Sequence, residues 1–190
     1  MPVLCLEPMV WPESLLDSRI DGHFGEQWWV LHVKPRAEKS LARKCFMRQT
    51  RYFLPQYRHQ HGGQSRGKDS YLPLFPGYLF LYGSERERLM ALETNLVVNV
   101  LSVPNQSELF DDLKRINQVI ESGLPILPEE RLQPGMPVAI VDGPLAGLQG
   151  TVIRRKNKMT LTLKVSFLQQ GASVEMDSWM VEPILAQRNV

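Results

Sequence analysis

The hydrophobic positions of the chain follow the two-residue period of a β-strand in some stretches and helical spacing in others. Strand periodicity, with aromatic and β-branched residues, occurs in residues 28–33 (WWVLHV), 52–57 (YFLPQY), 78–82 (YLFLY) and 96–103 (LVVNVLSV). Amphipathic helical spacing occurs in residues 35–49, 84–93 and 107–123. This order of strands and helices predicts a split βαβ arrangement, in which helices cover an antiparallel sheet.

The pattern changes after residue 123. Residues 124–134 contain three prolines and a charged centre, which is typical of a short, stiff linker. Residues 135–185 carry short alternating strands separated by turns, without a helical stretch, and predict a small all-β barrel. Residues 1–26 precede the first predicted strand, and we expect them to form a flexible extension. The predicted fold class is therefore α+β, with a ferredoxin-like domain over residues 27–123 followed by the barrel.

The composition is that of a globular protein. Hydrophobic residues make up 43% of the chain, and its mean hydropathy is -0.22. No apolar run approaches the roughly 20 residues of a membrane span, and the first residues do not resemble a secretory signal. The two cysteines, Cys5 and Cys45, support neither a disulfide framework nor a cysteine metal site. We therefore expect a protein of the reducing cytoplasm.

Basic residues are concentrated in one part of the chain. Residues 34–68 contain ten lysines and arginines and one acid, Glu38, although the net charge of the whole chain is only +2. A helix over residues 35–49 would place Arg36, Lys39 and Arg43 on the side opposite its apolar residues. Such a block indicates a surface that attracts a polyanion, because phosphate attraction depends on the local potential. The alternative is a solvated helix face without a partner.

The sequence contains no pattern that is typical of catalysis. The glycine-containing stretch 58–70 predicts a mobile, basic loop. Its His59 and His61 have no cysteine or carboxylate at metal-ligand spacing, which favours solvated histidines over a metal site. No GxSxG, Walker-type or Rossmann pattern occurs. We predict a protein without enzymatic activity, bound metal or cofactor.

Residues 72–83 (LPLFPGYLFLYG) group aromatic side chains around a Pro-Gly pair. Strand alternation directs Leu79 and Leu81 toward the helices and places Tyr78 and Phe80 on the opposite face. A turn at the Pro-Gly pair would hold the preceding phenylalanine near Tyr78. From the pattern alone, the aromatic side chains belong either to the core or to a contact surface.

Three stretches, WWVLHVKPRAEK, LPLFPGYLFL and VDGPLAGLQGTV, occur in this order and together resemble the NusG family of transcription elongation factors, which includes specialised paralogues such as RfaH. The first two are similar to the N-terminal NGN domain, and the third is similar to the KOW motif of the C-terminal barrel. The resemblance spans residues 27–183. It implies an elongation or antitermination factor whose NGN domain binds the clamp helices of RNA polymerase, contacts nearby DNA and suppresses pausing or termination.

The resemblance also implies which residues make these contacts. The residues expected to bind RNA polymerase are Trp28, His32, Phe75, Tyr78 and Phe80. The residues expected to bind upstream or non-template DNA are Lys34, Arg36, Lys39 and Arg43, together with Arg58, Arg66 and Lys68 of the basic loop. The KOW residues expected to meet a ribosomal protein or the Rho factor are Gly143, Leu145, Gly147, Leu148 and Gly150. The glycines would permit positive φ angles, and the leucines would be exposed unless a partner covers them.

The acidic extension, the long basic loop and the sequence of the strand at residues 96–103 favour a specialised paralogue over the general factor. This strand lacks the glycine-containing turn that many members carry there. We expect a monomer that does not associate with membranes. The KOW motif also occurs in ribosomal proteins, so the alternative interpretation is a KOW-containing, ribosome-associated RNA-binding protein.

Overall fold

The computed structural model describes residues 7–17, 25–59, 70–129, 136–141, 143–155, 158–165, 168, 170–176 and 181–183. The chain divides into two compact units, Met1–Lys114 and Arg115–Val190. The predicted residues Arg66 and Lys68 lie outside the described residues. No helix in the described ranges is long and apolar enough to cross a membrane.

The first unit contains an antiparallel sheet with helices, as predicted. Its elements are β1 (Val10–Trp11), a 3-10 helix (Glu13–Leu16), β2 (Gln27–Val33), α1 (Glu38–Met47), β3 (Arg51–Phe53), β4 (Gln56–His59), β5 (Ser70–Pro73), β6 (Tyr78–Gly83), α2 (Glu85–Leu92), β7 (Val97–Leu101) and the first part of α3 (Gln106–Glu121). The five-stranded sheet has the order β1-β3-β6-β2-β7, and β4 and β5 form a separate two-stranded sheet. All of these strand pairs are antiparallel.

The helices α1 and α2 cover one face of the five-stranded sheet. Leu79 and Leu81 of β6 belong to a buried cluster with Leu41 and Cys45 of α1 and Ala91 of α2. The predicted direction of the two leucines is therefore confirmed. Burial raises the pKa of the Cys45 thiol to about 12, against a smaller opposing effect of the nearby Arg48 cation.

The other face of the sheet carries aromatic side chains. Phe80 lies near Phe53 and Phe75, with ring centroids 6.3 Å and 5.9 Å away, and all three rings are buried. At the start of β2, the Gln106 side chain accepts a hydrogen bond from the Trp28 N–H at 2.7 Å and donates one to the Trp28 carbonyl at 3.1 Å. These bonds fix the start of α3 to the first residues of β2.

Helix α1 is shorter than the predicted helix over residues 35–49. Arg36 has a φ of 63°, in the left-handed region, so the helix begins only after it. The α2 start agrees with the sequence, because Ser84 and Glu87 form the capping box that their spacing predicts. In that box the Glu87 carboxylate accepts a hydrogen bond from the Ser84 N–H at 2.9 Å.

The expectation of a flexible N-terminal extension is wrong for residues 7–17. Strand β1 adds to the edge of the sheet, with Val10 opposite Phe53 and Trp11 opposite Tyr52. Two leucines of the following 3-10 helix are buried, Leu15 at 1% exposure and Leu16 at 2%. Two short apolar pairs therefore attach a segment that we expected to be flexible because it precedes the first predicted strand.

The second unit contains the predicted succession of short strands. These are β8 (Ile126–Glu129), β9 (Met136–Ile140), β10 (Gln149–Arg155), β11 (Lys158–Val165), β12 (Gln170–Met176) and β13 (Val181–Pro183). They form an antiparallel sheet in the order β13-β9-β10-β11-β12-β8. Strand β8 lies inside the predicted linker 124–134, at the sheet edge, where Pro128 is tolerated. Closure of this sheet into a KOW barrel, and the domain limits 27–123 and 135–185, stay predictions.

Candidate functional site

One end of the five-stranded sheet presents an aromatic pair to the surface. His32 of β2 and Tyr78 of β6 lie opposite each other, and their rings are stacked with centroids 5.4 Å apart. Asn99 of β7 lies opposite His32 on the other side of β2. His32 and Asn99 are exposed, and Tyr78 is partly exposed. The rings of Tyr78 and His32 and the side chain of Asn99 form a line across three adjacent strands. We call this line the aromatic row, after its two rings.

A tight turn before β6 positions Tyr78 in this row. The Tyr78 N–H donates to the Phe75 carbonyl at 3.1 Å, and the Val33 N–H donates to the Gly77 carbonyl at 2.8 Å. Gly77 has a φ of 83°, a conformation that strains residues with a Cβ. The ring of His32 would still leave room for a Cβ at Gly77, because its nearest atom is 3.6 Å away. Glycine is therefore required here because of its positive φ angle, and not because a Cβ would clash with its neighbours.

Glu38 holds this turn in place, and sequence reasoning missed it. Its side chain, in the first turn of α1, is only 6% exposed, and one carboxylate oxygen accepts a hydrogen bond from the Gly77 N–H at 2.8 Å. Acidic residues are favoured in the first turn of a helix, where the dipole is positive. The sequence did contain a signal, since Glu38 is the one acid in the basic block 34–68. A single acid among ten cations indicates a specific local contact of that acid.

Three of the five residues predicted to bind polymerase are buried. Phe75 is 1% exposed, Phe80 is 0% exposed and Trp28 is 3% exposed, so the expectation that Phe75 and Phe80 are offered at the surface is wrong. Phe75 and Phe80 contact each other next to the aromatic row. Trp28 packs on Tyr82 instead and lies four residues from His32, about 13 Å along the strand. Only His32 and Tyr78 remain as surface contacts.

The predicted row of basic residues on α1 is not formed. Lys39 is only 7% exposed, which contradicts its place on a solvated face. Arg36 precedes the helix and is exposed, as is Lys34. Arg43 is exposed and forms an ion pair with Glu7 at 3.5 Å. The exposed cations of this region are therefore spread over the strand end and the helix, and one of them has an acidic partner.

The two-stranded sheet carries another predicted cation. Arg58 of β4 is exposed and lies opposite Tyr71 of β5. The rings of Tyr57 and His59, on the other face of β4, meet edge to face at 6.2 Å. Within the described ranges, no group of three or more histidine, cysteine, aspartate or glutamate side chains is arranged to hold a metal ion.

The loop between β9 and β10 has the predicted glycine conformations but buries its leucines. Gly143 and Gly147 have φ angles of 87° and 90°. Leu145 and Leu148 are 3% and 9% exposed, so the expectation that they are exposed is wrong. The Gly147 N–H donates to the Ile140 carbonyl at 2.8 Å, which closes the loop back on β9. Gly150 lies within β10, opposite Val138.

We predict that Glu38→Ala lowers the free energy of unfolding by about 1–3 kcal/mol, because the partly buried Gly77 N–H loses its acceptor. Glu38→Gln keeps an acceptor oxygen and should cost clearly less. Urea unfolding at pH 7 measures both. Glu85→Ala is the matched control, since Glu85 is also an acid in the first turn of a helix but makes a surface ion pair with Arg88. Equal effects of Glu38→Ala and Glu85→Ala would contradict the role of Glu38.

The chain is similar to proteins of known family and structure. A family model described as NusG, "Transcription termination factor nusG", matches residues 26–124, which are 99 of the 190 residues. Among solved structures, Thermotoga maritima NusG is 18% identical over 86% of this chain and 99% of its own, with a TM-score of 0.47. Spt5 in the MjSpt4:Spt5 complex, conformation B, matches at 16% identity over 86% of this chain and 100% of that chain, with a TM-score of 0.25. No curated protein sequence matches significantly.

Members of the NusG family are transcription factors without enzymatic activity. The family model covers the chain from just before β2 to the end of α3, which includes every strand of the five-stranded sheet except β1. Since that match spans more than half of the chain, this protein belongs to the NusG family and acts as a transcription elongation factor.

Proposed function

We propose that this factor binds RNA polymerase through the two rings of the aromatic row, His32 and Tyr78, and thereby suppresses pausing or termination. The observation that carries the proposal is the stacked, solvent-facing pair of rings on a rigid sheet end. The partner is the clamp-helix coiled coil of the largest polymerase subunit. Aromatic side chains provide a large contact area at a small entropic cost, and they are common interface hot spots.

The buried aromatic residues support the contact from below. Phe75 and Phe80 pack beside the row and keep the strand end rigid, and Glu38 fixes the turn that presents Tyr78. A preformed surface loses little conformational freedom when it binds, which favours affinity. Phe75, Phe80 and Trp28 are therefore proposed to act through the structure of the first unit rather than by touching polymerase.

Nucleic acid is the second proposed partner. Lys34, Arg36, Arg43 and Arg58 are exposed and are proposed to attract the phosphates of upstream or non-template DNA. Arg66 and Lys68, which lie outside the described residues, belong to the same proposal. Lys39 is removed from it, since a buried side chain offers little charge to a phosphate. Phosphate contacts position the DNA but carry no sequence information.

The second unit is proposed to be a KOW domain that recruits a ribosomal protein or the Rho factor. Its β9–β10 loop offers the exposed residues Gly143, Pro144 and Gly147, while Leu145 and Leu148 stay inside. Such a contact would depend on the backbone shape of the loop more than on apolar side chains. The factor is proposed to work as a monomer in the cytoplasm.

We expect Tyr78→Ala, and separately His32→Ala, to weaken binding to the isolated clamp-helix coiled coil about tenfold or more, because each removes half of the exposed pair. Binding is measured by titration calorimetry with folding checked by thermal unfolding. Met47→Ala is the control, since Met47 is 73% exposed on α1, which covers the opposite face of the sheet. If both ring variants bind like the wild type, the assignment of this surface fails.

Co-purification with the factor distinguishes polymerase binding from the alternative of a ribosome-associated RNA-binding protein. Co-purification of polymerase subunits, abolished in Tyr78→Ala, supports the first. Ribosomal subunits without polymerase would support the second. The family match over residues 26–124 favours polymerase, because it lies over the predicted NGN domain rather than over the KOW motif.

For DNA, we predict that Lys34→Gln combined with Arg36→Gln reduces the slope of log affinity against log salt by about 0.9 for each phosphate that the variant no longer neutralises. Filter binding of a duplex probe between low and moderate salt measures the slope. Arg86→Gln serves as a control, because Arg86 is exposed on α2 outside the proposed DNA surface. A parallel Arg58→Gln variant tests the two-stranded sheet. If the slope is unchanged in every variant, these residues do not bind phosphates and the assignment is wrong.

The factor is proposed to be an operon-specific paralogue rather than the general elongation factor. The support is its acidic N-terminal segment, its long basic loop and the unusual sequence of the strand at 96–103. Mapping its position along the transcribed genome should show occupancy on a few long operons. Occupancy on nearly all transcribed genes would instead identify the general factor.

A further inference from the structure

Residues 7–17, which we call the strap, are held through backbone hydrogen bonds as well as through their apolar side chains. The Gln56 amide accepts a hydrogen bond from the Glu7 N–H at 3.4 Å and donates one to the Glu7 carbonyl at 3.0 Å. The Tyr52 hydroxyl donates to the Pro8 carbonyl at 2.9 Å, and the Leu54 N–H donates to the Met9 carbonyl at 2.6 Å. Three consecutive residues thus have backbone groups bound by the domain. Backbone hydrogen bonds of this kind give affinity for an added chain, and the pockets for its side chains give specificity.

The groups that bind the strap are themselves buried. Gln56 is 2% exposed and Tyr52 is 0% exposed. A buried amide or hydroxyl is costly unless it is hydrogen-bonded, and both side chains bond to the strap. Burial also raises the pKa of the Tyr52 hydroxyl, which keeps it protonated as a donor. The edge of β3 is therefore built to hold a neighbouring extended chain.

Side chains of the strap define the chemistry that the edge accepts. The Trp11 ring meets the Phe46 ring edge to face at 4.8 Å. Farther along, Leu15 and Leu16 are buried. The strap contains the acids Glu7, Glu13 and Asp17 and no basic residue. Cations meet both of its ends, because Arg43 pairs with Glu7 and the Lys114 ammonium donates to the Asp17 carbonyl at 2.8 Å.

We infer that the outer edge of β3, with Tyr52 and with Gln56 at the start of β4, is a binding site for an acidic peptide that pairs as a strand at its tryptophan and continues into a 3-10 turn with two leucines. In the free chain the strap occupies this site. Its covalent attachment gives it a high effective concentration, so a peptide of the same chemistry in solution binds only when the strap is weakened or released. This site lies on a different part of the sheet from the proposed polymerase surface, and it does not rest on the proposed function.

The test uses the full chain and a fluorescent peptide of residues 7–17, EPMVWPESLLD. We expect a strap-weakened variant, Trp11→Ala with Leu16→Ala, to bind the peptide at least about tenfold more tightly than the wild type. Adding Gln56→Ala to this variant should lower peptide affinity about tenfold, because it removes two hydrogen bonds. A peptide of scrambled sequence is the control. If the folded variant binds neither peptide, or binds both equally, the inference is overturned.

Hydrogen exchange on the unmodified chain provides a second test that does not depend on the variant folding. The Leu54 N–H is bonded to the strap, whereas β6 has a strand on both sides. Release of the strap should make Leu54 exchange at least about tenfold faster than Leu81. In the strap-weakened variant, added peptide should slow the exchange of Leu54 and leave that of Leu81 unchanged. Equal exchange of Leu54 and Leu81 in the unmodified chain would show that the strap is a fixed part of the sheet.

Discussion

The antiparallel pairing of β2 with β6 determines the arrangement of the first unit. Their register runs from Gln27 opposite Gly83 to His32 opposite Tyr78. Because successive side chains of a strand point to opposite faces, this register places the leucines of both strands toward α1 and α2 and all the rings of β6 on the other face. A shift of one residue would reverse both faces. The stacked pair of His32 and Tyr78 is thus a direct consequence of the register that forms the core.

Local patterns were enough to predict the parts of the fold that depend on one element. Alternation in residues 78–82 gave the direction of Leu79 and Leu81, and the spacing of Ser84 and Glu87 gave the start of α2. The same alternation could not show that Phe80 is buried, because it assigns a face but not what covers that face. Helical spacing likewise grouped Lys39 with Arg43, whereas only Arg43 is exposed.

Contacts between distant parts of the sequence could not be predicted. The strap depends on Tyr52 and Gln56, more than forty positions away, and its own signal is only two short apolar pairs. The bond of Glu38 to Gly77 spans 39 positions. Both contacts bring a carboxylate close to the basic block, that of Glu38 and that of Glu7. The electrostatic potential near residues 34–43 is therefore less positive than a count of lysines and arginines suggests.

Strands β3 and β7 are the outer strands of the sheet when the strap is left out, and they are protected against pairing with other chains in different ways. At β7, the Asn99 side chain accepts a hydrogen bond from the adjacent Val100 N–H at 2.9 Å, which occupies a donor of that strand. At β3 the protection is the strap, whose strand β1 pairs with β3. The strap lies on β3, whereas the aromatic row lies on β6, β2 and β7. Strand β6 links the two sites, and a tightly packed strand resists displacement. Replacement of the strap by a peptide should therefore leave His32 and Tyr78 exposed, so that one chain could hold the peptide and polymerase at once.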